Sequence, residues 1–333
     1  EQTTMWFETL TGFVEQSPEQ VRENIAVDGE TMFSKVNGRK MACGRLDTPT
    51  LADLRAQAQR VNCPKGPLKL SEVVADVQHL HTLPENCGAL FQVASQFNLL
   101  EMVSSSVTPE DGVGIYEHDR TQGPACAIAC GAGTIYHNYF EEGNENSGQC
   151  AVNQPDCLRV LGDALGNADG RLWRMQNGYA LASAEGLNAI SSHLTSIDEA
   201  ERDRLRQMLR IGIQWNTQVT LARNLHSVSQ AYCSALPVAY SMHSADAWSD
   251  FAQLVLEAAY EATLYAGIVN WSENGSNRLF LTLLGGGAFG NRDSWILAAI
   301  GRALRVCAEI PLDVSTGSYR WPTPPIQRLL KQW

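Results

Sequence analysis

Residues 279–291 read LFLTLLGGGAFGN, and an apolar run from Ser294 to Val306 follows them. This is the order of a short buried strand, a glycine-rich turn and a helix. Glycine lets the backbone approach a ligand closely and adopt a positive φ. Free N–H groups and the positive end of the helix dipole favour an anion there. The stretch predicts an α/β fold with a phosphate- or diphosphate-binding loop; the alternative is a tight strand–helix turn without a ligand. The candidate ligand-binding residues of this loop are Gly285, Gly286, Gly287, Ala288, Phe289, Gly290 and Asn291.

The same loop matches the G-x-G-x-x-G spacing of a Rossmann dinucleotide-binding unit at Gly285, Gly287 and Gly290. A Rossmann motif normally opens its domain, because further strands must follow to build the sheet. Only 43 residues follow Gly290, and they predict one helix, one strand and a Pro-rich tail. A nicotinamide-dependent enzyme is therefore the weaker interpretation.

Composition argues against several classes of function, including nucleic-acid binding, membrane association and metal binding. The chain has 333 residues, of which 44% are hydrophobic and 18% charged, as in an ordinary globular protein. Its net charge of −11 argues against a nucleic-acid partner, because phosphate backbones bind basic surfaces. No apolar run approaches the roughly 20 residues of a membrane-spanning helix, so no membrane partner is expected. Nine scattered cysteines favour reduced thiols in a cytoplasmic protein. Cysteine and histidine spacings predict no metal site, and we expect no cofactor.

The breaker-rich segment 62–67, NCPKGP, marks a candidate boundary. We expect residues 1–67 to form an N-terminal helical extension and residues 68–333 to form the main domain, with an insertion at about 140–195. Strands and helices alternate in the main domain, which predicts a sandwiched α/β sheet.

From about Leu70 to Tyr319, the order of these pieces resembles a macrodomain, the ADP-ribose-binding α/β/α module. The resemblance implies a three-layer α/β/α fold around a mixed sheet. Residues 74–77 resemble the early macrodomain element that carries an acid, and residues 93–98 resemble the strand that ends in a ribose-contacting asparagine. The resemblance implies that Asp76 contacts the adenine amino group and Asn98 the distal ribose. It also implies that the glycine loop binds the diphosphate, with Phe289 against the distal ribose. Gln96 and Glu101, which flank Asn98, are further candidate ligand contacts.

The segment 109–124, PEDGVGIYEHDRTQGP, departs from simple macrodomains, as does the replacement of the usual first glycine run by Leu99–Met102. It resembles a divergent branch, the MavL-type ADP-ribosyl-ubiquitin and arginine hydrolases of bacterial effectors. This resemblance implies a hydrolase that removes ADP-ribose from a protein side chain, above all from arginine, with ubiquitin as a candidate carrier.

Apart from any resemblance, the acidic residues of segment 109–124 have the chemistry needed to hydrolyse an ADP-ribosyl bond. Hydrolysis at the anomeric carbon of an ADP-ribosyl group passes through an oxocarbenium-like centre, which a carboxylate can stabilise while it orients water. Asp111, Glu117 and Asp119 are the candidate catalytic residues, and a guanidinium leaving group would also pair with carboxylates. The alternatives are a solvated acidic loop and, for the whole protein, a reader module that binds ADP-ribose without chemistry.

Overall fold

The computed structural model describes residues 5–141 and 148–333. The strands in these ranges are β1 (Ile25–Asp28), β2 (Thr31–Ser34), β3 (Lys40–Ala42), β4 (Arg45–Asp47), β5 (Lys69–Val74), β6 (Leu90–Ala94), β7 (Trp173–Gln176), β8 (Tyr179–Ala182), β9 (Gly212–Gln218), β10 (Ser227–Cys233), β11 (Arg278–Leu281) and β12 (Asp313–Ser318). The α-helices are α1 (Trp6–Thr11), α2 (Pro18–Asn24), α3 (Leu51–Arg60), α4 (Val77–Thr82), α5 (Gln122–Ala129), α6 (Gly131–Tyr139), α7 (Arg159–Leu165), α8 (Ala184–Ser196), α9 (Glu199–Arg206), α10 (Ala245–Asn274), α11 (Asp293–Val306) and α12 (Pro324–Gln332).

The centre of the molecule is a seven-stranded mixed sheet in the order β4-β9-β10-β6-β11-β12-β5. The five strands from β10 to β5 are parallel to one another, and β9 and β4 complete one edge in antiparallel pairing. The carboxyl ends of the five parallel strands therefore lie along one edge of the sheet. The predicted α/β class with a mixed sheet is confirmed.

Helices cover both faces of this sheet. Successive side chains of a strand point to opposite faces, and neighbouring residues of β6 contact different helices. On β6, Gln92 donates a hydrogen bond to Thr263 of α10 at 2.8 Å. The neighbouring Phe91 stacks on His81 of α4, with ring centroids 3.8 Å apart. Helices α3, α8 and α11 pack around α10, and α5 packs beside α4. The result is the predicted three-layer arrangement.

The N-terminal segment combines helices with strands. Strands β1 to β3 form a separate antiparallel sheet, whereas β4 pairs with β9 in the central sheet. Phe7 and Leu10 of α1 share a buried cluster with Leu100 and Val113, which follow β6. The division at residue 67 stays a prediction, but this segment packs directly on the loops at the carboxyl edge of the sheet.

The region predicted as an insertion, about 140–195, contains α7, the β7–β8 hairpin and most of α8. Its residues 142–147 lie outside the described part of the chain. None of the described helices combines the length and apolar character needed to cross a bilayer.

Candidate active site

A cleft of about 290 Å³ opens at the carboxyl ends of β10, β6 and β11. Open α/β sheets commonly bind ligands at this edge. Its wall combines the loop after β6, the start of α5, the glycine loop after β11 and two aromatic rings. The lining residues include Ser95, Gln96, Glu101, Met102, Val103, Asp119, Thr121, Gln122, Gly123, Pro124, Tyr179, Tyr240, Gly285, Gly287, Ala288 and Phe289.

The glycine loop connects β11 to α11, as the sequence predicts. Gly285 and Gly290 have left-handed backbones, with φ of 69° and 71°, a conformation that glycine adopts readily. The loop closes through Asn291, whose N–H donates to the Gly285 carbonyl and whose Nδ2 donates to the Leu236 carbonyl, each at 2.8 Å. These three residues therefore serve the shape of the turn.

Gly287 differs from those two glycines. A Cβ there would meet no atom within 4 Å, and its φ is not in the left-handed region, so the fold does not require glycine at this position. Within residues 5–141 and 148–333, the N–H groups of Gly287, Ala288 and Phe289 donate to no protein acceptor. All three residues line the cleft. Their amides are available to an anion.

Glu101 places a buried carboxyl group in the wall of this cleft. The residue is 4% exposed, and its Oε1 atom has no hydrogen-bond partner in the described part of the chain. Burial, followed by the negative charge of Asp119, raises the pKa of Glu101 well above its usual value. Burial thus disfavours the charged carboxylate and favours the protonated acid at this position.

The start of α5 is shaped to accept that carboxyl group. A Cβ on Gly123 would overlap the Oε2 atom of Glu101 and the carbonyl oxygen of Ala94. Gln122 also ties the start of the helix to β6, because its Nε2 donates to the Gln92 carbonyl at 2.7 Å and its Oε1 accepts from the Ala94 N–H at 2.9 Å. Glycine at 123 lets the helix and Glu101 approach this closely.

Asp119 is half-buried and lines the same cleft. Its Oδ1 atom accepts the Thr121 N–H at 2.9 Å, so the carboxylate is fixed just ahead of α5. Two carboxyl groups in unlike environments thus share one cleft. Such an arrangement is typical of acid–base pairs.

The remaining candidates from the loop after β6 and from β5 have other partners. Gln96 lines the cleft but braces its own loop, since its amide bonds the Met102 N–H and carbonyl at 2.8 and 3.0 Å. Asn98 is buried away from the cleft and donates to Gln154 at 2.8 Å. Asp76 lies at the carboxyl end of β5, where it accepts the Gln78 N–H at 2.8 Å and begins α4.

Asp111 and Glu117 do not line the cleft. Asp111 accepts the Thr108 N–H at 2.7 Å in a short capping turn. Glu117 accepts the Trp6 N–H at 3.3 Å. Gly286, Gly290 and Asn291 also lie outside the lining. A direct role for any of these residues stays a prediction.

Tyr179, Tyr240 and Phe289 form an aromatic cluster in the wall of the cleft, and the sequence singles out only Phe289. The Phe289 ring lies 5.4 Å from both tyrosine rings. Tyr179 starts β8, and its hydroxyl donates to the Met102 carbonyl at 2.6 Å. Neither tyrosine belongs to a motif, so only the tertiary structure brings them to the cleft. Among the described residues, no group of three or more His, Cys, Asp or Glu side chains is placed to hold a metal ion.

No protein-family model and no curated protein sequence matches the chain. Matches to solved structures include a poly(ADP-ribose) glycohydrolase from Deinococcus radiodurans in complex with ADP-ribose, 12% identical over 86% of this chain and 92% of that chain, with a TM-score of 0.45. The enzyme from Thermomonospora curvata is 11% identical over 95% and 96% of the two chains, with a TM-score of 0.46. At these scores the likeness by itself assigns no activity to this chain.

The comparisons contradict the expected MavL-type branch of the macrodomain superfamily. These matching structures are poly(ADP-ribose) glycohydrolases, so the expectation of a MavL-type ADP-ribosyl-ubiquitin or arginine hydrolase is wrong. That expectation depended on the acids of residues 109–124. Of its three candidates Asp111, Glu117 and Asp119, only Asp119 lines the cleft.

Proposed function

We propose that the protein is a glycosyl hydrolase that cleaves the bond at the anomeric carbon of an ADP-ribosyl group. The observation that carries the proposal is one cleft that contains the Glu101 and Asp119 carboxyl groups beside a glycine loop with unused amides. Phosphate recognition and acid–base chemistry would then occur within one small-molecule site.

The glycine loop would bind the diphosphate through the N–H groups of Gly287, Ala288 and Phe289. None of the described residues that line the cleft is Lys or Arg, so within the described part of the chain the diphosphate would depend on uncharged donors. The nucleoside would extend along the strand ends toward Asp76, beside the exposed rings of Tyr319 and Trp321 that follow β12. The macrodomain resemblance of these segments supports ADP-ribose as the ligand.

The reacting ribose would lie between Phe289 and the two carboxyl groups. Glu101, as the general acid, would donate its proton to the leaving oxygen as the bond to the anomeric carbon breaks. Asp119 would accept a proton from water as the water oxygen bonds to that carbon. General acid–base catalysis of this kind contributes roughly 10²- to 10⁴-fold to the rate.

The proposed general-acid role of Glu101 also favours one kind of glycosidic bond in the substrate. An alkoxide is a poor leaving group unless it is protonated as it departs, so a general acid is most useful for an O-glycosidic bond. We therefore propose an O-linked substrate, such as the ribose–ribose bond of an ADP-ribose polymer or a seryl ADP-ribose.

The test is calorimetric titration with ADP-ribose, combined with release assays on an ADP-ribose polymer and on a seryl-ADP-ribosylated peptide. Binding with release from either substrate supports the hydrolase. Binding without release from any ADP-ribosyl linkage would indicate a reader module instead. Absence of binding would contradict both functions.

A further inference from the structure

The loop that leads to Asp119 is anchored by an acid from the N-terminal segment. Glu15 lies between α1 and α2 and accepts three hydrogen bonds: from the Val113 N–H at 2.9 Å, the Gly114 N–H at 2.6 Å and the Tyr139 hydroxyl at 2.5 Å. These donors are about 100 residues or more away in the sequence. Glu15 itself does not line the cleft.

The loop is shaped around this carboxylate. A Cβ on Gly112 would come within 2.6 Å of Glu15 Cδ, and a Cβ on Gly114 within 2.6 Å of its Oε2. Gly112 also has a φ of 86°, which few other residues adopt without strain. Glycine at both positions allows the backbone to wrap the Glu15 side chain.

The anchored turn then contacts both carboxyl-bearing residues of the cleft. Residues 114–118 form a short 3₁₀ helix, and Gly114, the second residue with an anchored amide, is its first residue. The hydroxyl of its buried Tyr116 accepts the Glu101 N–H at 3.0 Å, and the Tyr116 carbonyl accepts the Asp119 N–H at 3.1 Å. Tyr116 thus connects the turn held by Glu15 to the backbones of Glu101 and Asp119.

We propose that Glu15 is a positioning residue for the Glu101–Asp119 pair, so that the N-terminal segment is an integral part of the active site. This inference rests on the proposed hydrolase function. A displacement of about 1 Å in a catalytic group can cost roughly 100-fold in rate. Loss of the anchor should therefore lower kcat while the glycine loop, on a different strand end, still binds ligand.

The direct test is Glu15→Gln. Glutamine keeps one acceptor oxygen, but its NH₂ group would face one of the three donors. We expect kcat to fall at least about tenfold, while the Kd for free ADP-ribose stays within about twofold. Amide hydrogen exchange should become faster at residues 113–119 and remain unchanged at 285–291. Glu23→Gln, at an exposed acid of α2, is the matched control and should behave as the wild type.

Tyr139→Phe provides a second variant if Glu15→Gln does not fold. It removes one donor to Glu15 and leaves both backbone amides, so we expect the same pattern with a smaller fall in kcat. Folded variants with wild-type kcat and wild-type exchange at 113–119 would overturn the proposal. Equal losses of kcat, affinity and global stability would do so too, because they would indicate a merely structural role. Failure of the wild type to release ADP-ribose would instead contradict the hydrolase, and exchange at 113–119 would still test the anchor.

Discussion

Gly123 and Glu101 touch at the wall of the cleft: the Oε2 atom of Glu101 occupies the space where any side chain at position 123 would begin. This contact links the start of α5 to the buried carboxyl group. The same Cβ would also overlap the Ala94 carbonyl oxygen. We predict that Gly123→Ala displaces Glu101 and lowers kcat at least about tenfold, with about 1–3 kcal/mol of destabilisation from overpacking. Steady-state kinetics and thermal melts measure the two effects.

A control variant and a double variant separate an effect through Glu101 from general destabilisation. Gly267→Ala on α10 is the control, since its Cβ would meet Leu279 only at 3.5 Å, an ordinary contact. If Gly123→Ala acts through Glu101, adding it to Glu101→Gln should cause no further loss of activity. Additive losses in the double variant would contradict the link.

Glu101→Gln should lower turnover roughly 10²-fold or more and yet stabilise the protein. The pKa of Glu101 is raised in the folded state, whereas the unfolded chain titrates near 4.3. As pH rises above about 4.3, the native state retains a proton that the unfolded state releases, so the free energy of unfolding decreases. Glutamine removes this penalty. We expect the stability difference between variant and wild type to grow with pH in urea unfolding, and a constant difference would contradict the raised pKa.

Gly287→Ala separates ligand binding from folding at the glycine loop. Its Cβ would meet no protein atom, so the melting temperature should not change. A diphosphate held by the amides of this loop would meet the new methyl group, because close backbone approach is what glycine permits there. We expect about tenfold weaker ADP-ribose binding by calorimetry, or roughly 1.4 kcal/mol. Unchanged affinity would indicate that the diphosphate does not lie over this residue.

His81 should make the protein sensitive to acid. Its Nδ1–H donates to the Val77 carbonyl at 2.7 Å, and its Nε2 accepts from Gln230 at 3.1 Å. Burial lowers the pKa of His81 to about 4, against about 6.5 in the unfolded chain. Between these values the unfolded state binds the proton and the native state does not, so stability falls as pH decreases.

The contribution of His81 between pH 6.5 and 5 should be roughly 1–2 kcal/mol. His81→Gln removes the titrating group, so the variant should lose that much less stability between these pH values, even if it is less stable overall. Urea unfolding at both pH values gives the slope. Equal slopes for the two proteins would show that His81 takes up its proton equally in the native and unfolded states, which would contradict the lowered pKa.

The sequence predicts the parts of this fold that depend on local pattern. The glycine-rich stretch lies between β11 and α11 as its residues indicate, because strand, turn and helix signals there are contiguous. The burial of Glu101 has no such signal: it depends on Gly123 and Tyr116, which reach it only through the tertiary fold. For the same reason, no sequence motif predicts the contact of Glu15 with Val113 and Gly114, which lie about 100 residues away along the chain. The acids of residues 109–124 look alike in sequence, and only the backbone path separates Asp119 from the other two.

The decisive measurement is single-turnover hydrolysis of an O-linked ADP-ribosyl substrate by the wild type, Glu101→Gln and Asp119→Asn, each saturated with substrate. We predict that each variant loses roughly 10²-fold or more in rate while its Kd for ADP-ribose stays within a few-fold. Rates close to that of the wild type in either variant would contradict the assignment of Glu101 and Asp119 as the acid–base pair.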